Sequence, residues 1–176
     1  MRRVAFLGAV GALASAQAVA ASPSTAVMLS SSSPDLDSQY LDFVAGMLRA
    51  RGVNVYDPSS ADITFHERAS IVAGAVGPIL VAEVSGVAWV EAHYHTRRAM
   101  FVQTHISASS LPYGDFTVHV VRATSAYRCF DTNTRAVIAA GTAHGEARGE
   151  DLDSATVQAG NRSLQSLAAE AAPKLA

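Results

Sequence analysis

Between residues 26 and 56 a strand, a helix and a second strand follow one another with almost no spare chain, and that economy restricts the fold more than any other feature. Ala26-Val27-Met28-Leu29 is an apolar run of strand length, ended by the serines at 30–33. Ser33 stands as a helix N-cap, Pro34 takes the first helical position, and Asp35 and Asp37 lie near the positive end of the helix dipole. Leu36, Tyr40, Val44, Met47 and Leu48 recur at helical spacing, Arg49 and Arg51 fill the last turn, and Gly52 ends it. Val53-Asn54-Val55-Tyr56 follows at once, closed by Asp57-Pro58. Two strands joined by a helix in this way pair in parallel with the helix over one face. The chain is therefore expected to be α/β (α+β) rather than all-β or a helix bundle.

A second long pattern runs from 78 to 108. Leu80, Ala82, Val84, Ala88, Val90, Ala92 and Tyr94 share one parity, and the other parity turns from apolar to polar through Trp89, Glu91, His93 and His95. After Thr96-Arg97-Arg98, the residues Met100, Val102, Thr104 and Ile106 continue an apolar face. This predicts a β-hairpin turning at 96–98, with Glu91, His93, His95 and His105 on its wet face.

Residues 59–76 carry a weaker helical spacing through Ala61, Phe65, Ala69, Val72 and Val76, ended by Gly77-Pro78. Leu111-Pro112-Tyr113-Gly114-Asp115 reads as a turn leading into a long strand over 116–131, whose alternation changes phase near Arg122 to Ser125 and predicts a bulge there. A polar loop at 131–135 precedes a return strand over 136–146. Asp153 or Ser154 caps a last helix, with Val157, Asn161, Leu164, Leu167 and Ala171 at helical spacing until Pro173. A two-layer sandwich fits this order: one mixed, mainly antiparallel sheet with helices packed on one face.

Met1-Arg2-Arg3, an apolar run from Val4 to Ala14 and small residues through Ala21 predict a secretory signal peptide over 1–21. That run is well short of the roughly 20 residues a membrane span needs. No membrane insertion is expected after cleavage, and residues 22–176 form a single α/β domain. Without Arg2 and Arg3 the thirteen basic residues become eleven against fifteen acidic ones, a net charge near −4 that attracts neither nucleic acid nor anionic lipid. Lys174 is the only lysine and alanine is abundant, a usage common in GC-rich bacterial genomes. A periplasmic or secreted bacterial protein is expected. Cys129 is the only cysteine, so no internal disulfide forms, and its place in a strand pattern makes it a buried apolar side chain.

The closing segment carries a resemblance. Asp131-Thr132-Asn133-Thr134-Arg135 stands at a hairpin turn, Gly141-Thr142-Ala143-His144-Gly145-Glu146 ends a return strand of small residues, and an alanine-rich helix follows. With the leader and the element order, this resembles bacterial envelope proteins of the TolB N-terminal-like fold, among them the curli-secretion (CsgG-like), penicillin-binding-protein-activator and flagellar-assembly (FlgT-like) families. Arg135 stands where those families have glycine. The resemblance implies a non-enzymatic module that docks to other envelope proteins, as part of an assembly or secretion apparatus, and brings no catalytic residue or cofactor. It leaves self-association open.

For chemistry, the sharpest alternative is a transition-metal (Zn or Cu) site made of His93, His95, His105 and Glu91, because histidines two apart on a strand project from one face and a third ligand can come from the neighbouring strand. No Gly-x-Ser-x-Gly elbow, Walker loop or dinucleotide turn is present. Trp89, Arg97 and Arg98 are candidate partner contacts: a large aromatic at the edge of cover and two cations at the expected hairpin tip.

Overall fold

A computed structural model describes residues 23–56, 87, 88, 90, 91 and 94–176. Strand β1 (Thr25–Ser31) is buried along its first five residues, as expected for a strand covered on both sides. A single 3-10 turn (Pro34–Leu36) then leads into helix α1 (Asp37–Arg49). Ser33 makes no side-chain cap; the Ser31 hydroxyl instead accepts its N–H at 3.1 Å and faces the Asp37 carboxyl. Gly52 takes the left-handed conformation, φ 84°, that stops the helix. The chain returns beside β1 at a single parallel bridge, Thr25 to Val55, held by two backbone hydrogen bonds. The expected parallel pair is present, though its second member is shorter than a strand.

The sheet has four strands in the order β1-β2-β3-β4. β2 (Arg98–Tyr113) lies parallel to β1 and antiparallel to β3 (Phe116–Asp131), which pairs in turn with β4 (Val137–Gly149). Helix α2 (Leu152–Leu175) returns across the sheet. Its cap is Asp151, whose carboxylate accepts the Ser154 N–H at 3.0 Å, so the helix starts slightly earlier than Asp153 or Ser154 would place it. It also reads through Pro173 into a last turn anchored by the fully buried Leu175.

The main core lies between α1, α2 and one face of the sheet. Val27 and Leu29 of β1, Met100 and Val102 of β2, Tyr127 and Cys129 of β3, and Ala139 and Ala143 of β4 meet Tyr40, Val44 and Leu48 of α1 and Leu164, Leu167 and Ala171 of α2. Small residues on α2 and β4 allow the two backbones to approach closely. Gly160 receives the Tyr40 ring, whose hydroxyl donates to the Thr156 carbonyl at 3.1 Å. Burial, with the Asp37 charge nearby, pushes the Tyr40 phenol up to about 12 and keeps it a donor. Three hydroxyls in this core satisfy one another: Ser125 lies 2.9 Å from Thr104 and accepts from Ser163, which also reaches the Ala143 carbonyl.

Two expectations are corrected. Residues 87, 88, 90, 91 and 94 are helical, so the strand expected over 79–95 is not one at its described positions. Val87, Val90 and Tyr94 recur three and four apart, which is helical spacing as well as a mixed-parity strand pattern. Val87 and Val90 pack on the second face of the sheet, against Ala26, Met28, Ala99 and Phe130, so cover is not limited to the α1/α2 side. The rest of the expected first hairpin strand, and the helix expected over 59–76, lie outside the described residues, apart from Val87 and its described successors. The second correction concerns β3: the register shift falls between Cys129 and Phe130, not at 122–125. The apparent phase change at Ser125 arises because this polar residue sits on the core face, satisfied by hydroxyl partners.

Candidate docking surface on the β2–β3 arm

β1 ends at Ser31, opposite Thr104, and Ser32 closes the pairing: its N–H donates to the Thr104 carbonyl at 3.0 Å and its hydroxyl accepts the Ile106 N–H at 2.8 Å. β4 ends at Gly149, opposite His119. Beyond these points β2 and β3 continue alone as a two-stranded arm, with every residue from 107 to 117 exposed. The arm turns in two residues, Gly114 and Asp115, with Gly114 at φ 62°. A positive φ there matches the twist of the flanking strands.

Register decides what the tip presents. Leu111 pairs with Val118 and Tyr113 with Phe116, and strand alternation sets all four on the same face as His105 and Arg122, away from α1 and α2. Leu111 is 55% exposed, Tyr113 69% and Phe116 46%, and the Tyr113 and Phe116 rings lie 5.4 Å apart. Two aromatics in tilted contact and a leucine at the end of a projecting hairpin form an apolar patch that water alone would disfavour. Asp115 sits at the turn, and Glu150, Asp151 and Asp153 are exposed at the arm's root. Arg122 and Arg148 lie on the patch's own face further along the sheet, so charges of both signs stand on the arm and at its root.

Below the arm the same face is polar. Thr124 lies between His105 and His144, 3.1 Å from the Nδ1 of His144, and Glu146 accepts from Arg122 at 3.1 Å and from Arg148 at 2.9 and 3.0 Å. The Arg148 and Arg122 hydrogen bonds hold the Glu146 carboxyl below its usual range. These are solvated surface contacts of the ordinary kind, across the strands for Arg122 and Thr124 and along β4 for Arg148.

The residues singled out from sequence that the structure describes are not brought together. His93 and Trp89 lie outside the described residues. Glu91 is exposed on the helical segment, and His95 is exposed in the left-handed conformation at φ 51°. His105 sits seven residues along β2 from Arg98, roughly 23 Å at 3.3 Å per residue, which separates it from His95. Among the described residues no three of His, Cys, Asp and Glu gather as metal ligands. Arg97 lies 3.7 Å from Asp131, and Arg98 is half-buried with its guanidinium on the Leu175 carbonyl, so these two cations serve the sheet's other end rather than a hairpin tip. Cys129 is fully buried, and burial pushes its thiol up to about 12, which leaves it without nucleophilic character at neutral pH.

Sequence reasoning treated 111–115 only as a turn. The missed signal was parity: Leu111 with Tyr113 and Phe116 with Val118 mirror one another across a Gly-Asp pair, as apolar residues do on one face of a tight hairpin.

No family model matches the chain, and no curated protein matches it. Among solved structures, lipoprotein GNA1162 of Neisseria meningitidis is similar at a TM-score of 0.50 and 15% identity, over 73% of this chain and 85% of that one. The hypothetical protein CT253 of Chlamydia trachomatis is similar at 0.56 and 10% identity, over 87% and 98%. A minor lipoprotein of Acinetobacter baumannii gives 0.41 and 11% identity over 87% and 91%. The first two show a shared fold, which extends to a bacterial lipoprotein.

Proposed function

We propose that this chain is an exported, non-enzymatic interaction module of the bacterial cell envelope, of the TolB N-terminal-like kind, which docks to another envelope protein through the tip of the β2–β3 arm. The observation that carries the reading is the apolar patch of Leu111, Tyr113 and Phe116, held out from the body at the end of a hairpin whose residues 107–117 are all exposed. Such a patch calls for a partner with an apolar socket. The leader over 1–21, the fold shared with a lipoprotein and the absence of any nucleophile elbow or phosphate loop in the sequence support the same reading.

The test is affinity capture from envelope extract with the mature chain and with a Leu111→Ser/Tyr113→Ser variant. Both residues are exposed, so the variant keeps the fold. Truncating buried anchors of this size costs on the order of 1–3 kcal/mol each, so recovery of the partner falls tenfold or more. Equal recovery by the variant, or turnover of a substrate by the purified protein, overturns the reading.

A further inference from the structure

The sheet's two edges are finished differently. Along β4, α2 reaches over the outward carbonyls: Lys174 donates to that of Ala140 at 3.4 Å and Arg162 to that of Glu146. Cationic side chains laid on an edge block the approach of another strand. The outer edge of the arm has no such guard. Ser32 bonds the carbonyl of Thr104 and the N–H of Ile106, so even-numbered residues of β2 turn their backbone groups to this edge. Beyond Ile106 those are Ala108 and Ser110, each offering an N–H and a carbonyl, and Pro112, which offers a carbonyl alone. All three residues are exposed, and among the described residues no strand lies beside them. Residues 107–113 carry no charge that would turn a strand away.

From this edge, and resting on the reading of the arm as the docking element, we infer that the envelope partner lays an extended, uncharged segment antiparallel along Ala108–Pro112, with an apolar residue opposite Leu111. The lane has a definite length. Ser31 pairs with Thr104, which puts Ser32 beside His105, three residues and roughly 10 Å short of Ala108. The guest chain turns outward within that gap, so it uses none of the lane that β1 and Ser32 hold. Its direction follows from the bonds on offer. In the antiparallel sense Ala108 and Ser110 each exchange two hydrogen bonds with the guest, and Pro112 accepts one. A parallel guest confined to the same stretch closes fewer, because its carbonyl beside Leu111 would need the N–H that Pro112 lacks. Alternation then sets the guest's side chains. The residue opposite Leu111 stands on the face of Leu111, Tyr113 and Phe116 and widens the tip patch, while those opposite Ala108, Ser110 and Pro112 stand on the other face. Main-chain bonds along the edge give affinity, and the patch selects the side chain.

Peptides selected from a displayed library of random sequences against the mature chain are the probe. Those that bind share an apolar position flanked by uncharged neighbours, and they slow exchange of the Ala108 and Ser110 amides, read by NMR on the mature chain. Ser110→Pro removes an outward N–H at a position of the same parity as the natural Pro112, so the fold persists while peptide affinity falls about tenfold for the lost hydrogen bond. Ser110→Ala loses the same hydroxyl contact with His119 but keeps the N–H, and binds as wild type does. A library that yields no binder, peptides that bind without protecting those two amides, or peptides that bind Ser110→Pro equally overturn the inference. So does protection of the same amides in the chain alone as its concentration rises, which would put a second copy on the edge. Affinity capture separates this inference from the docking reading. Partner recovery that survives Ser110→Pro leaves docking through the tip standing without the edge, whereas a wild type that recovers nothing ends the docking reading whatever the peptides do.

Discussion

Replacing Gly145 by alanine tests how α2 is seated on the sheet. A Cβ at this position would meet the carbonyl of Ala159 and, at 2.6 Å, the backbone nitrogen of Ser163. Both are backbone atoms of α2, so no rotamer change relieves the clash; the helix itself has to lift away. Lifting it loosens Leu164 and Leu167 and breaks the hydroxyl set formed by Ser163, Ser125 and Thr104. Overpacking costs about 1–3 kcal/mol, and the upper end applies where backbone stands on the far side. For a chain of this size that lowers the melting temperature by about 6–12 °C. Gly141→Ala is the internal control. There the obstruction is the Glu170 carboxylate, the end of a half-exposed side chain that can swing away at the loss of its surface pair with Lys174, for less than about 1 kcal/mol. Gly46→Ala, on α1 with nothing within 4 Å, stabilises by about 0.5–1 kcal/mol. Thermal and urea unfolding followed by circular dichroism ranks the three. A Gly145→Ala protein melting within a degree or two of wild type, or no worse than Gly141→Ala, refutes the close backbone seating.

Other outcomes follow from single residues. Arg135 holds φ 59°, a conformation that glycine adopts freely, so Arg135→Gly raises stability by about 0.5–1 kcal/mol in urea unfolding. The Asp131 carboxyl is held below its ordinary value of 3.8, chiefly by the backbone N–H of Thr134, and also by the Thr134 hydroxyl, the Asn133 N–H and the Arg97 charge. A carboxyl depressed in the folded state contributes stability above the unfolded value that is lost as pH falls through the folded one. Stability of wild type therefore drops more steeply below about pH 4 than that of Asp131→Asn, measured by urea midpoints across that range. Cys129 stays unreactive to thiol reagents at mildly alkaline pH in the native protein and reacts at once in urea; prompt native reaction would contradict its burial.

How much the sequence reveals depends on whether one period is unambiguous. β3 was legible to its ends, Phe116 and Asp131, because sixteen residues alternate between turn signals. α1 was legible because Pro34, Asp37, Arg49 and Gly52 bracket a clean 3.6-residue spacing. The stretch around Val87 to Tyr94 was not: apolar residues stand at both parities, so helix and strand templates both fit. Asp151, Asp153 and Ser154 offer three competing caps, and only the backbone path selects the first. The histidine pattern assumed a strand through Glu91 and His95, whereas Glu91 is helical and His95 takes a positive φ; His93 lies outside the described residues. The tip patch depends on the pairing of Tyr113 with Phe116, which local propensity does not encode until the turn length is fixed.

The central claim, that the arm's tip meets another envelope protein, is tested most directly by a photo-cross-linking side chain placed at Phe116 in living cells, with a second placed at exposed Gln39 on α1 as reference. The account predicts one discrete adduct with a different protein from Phe116, abolished by Tyr113→Ser, and none of that mass from Gln39. No adduct from Phe116, or the same adduct from both positions, would contradict it.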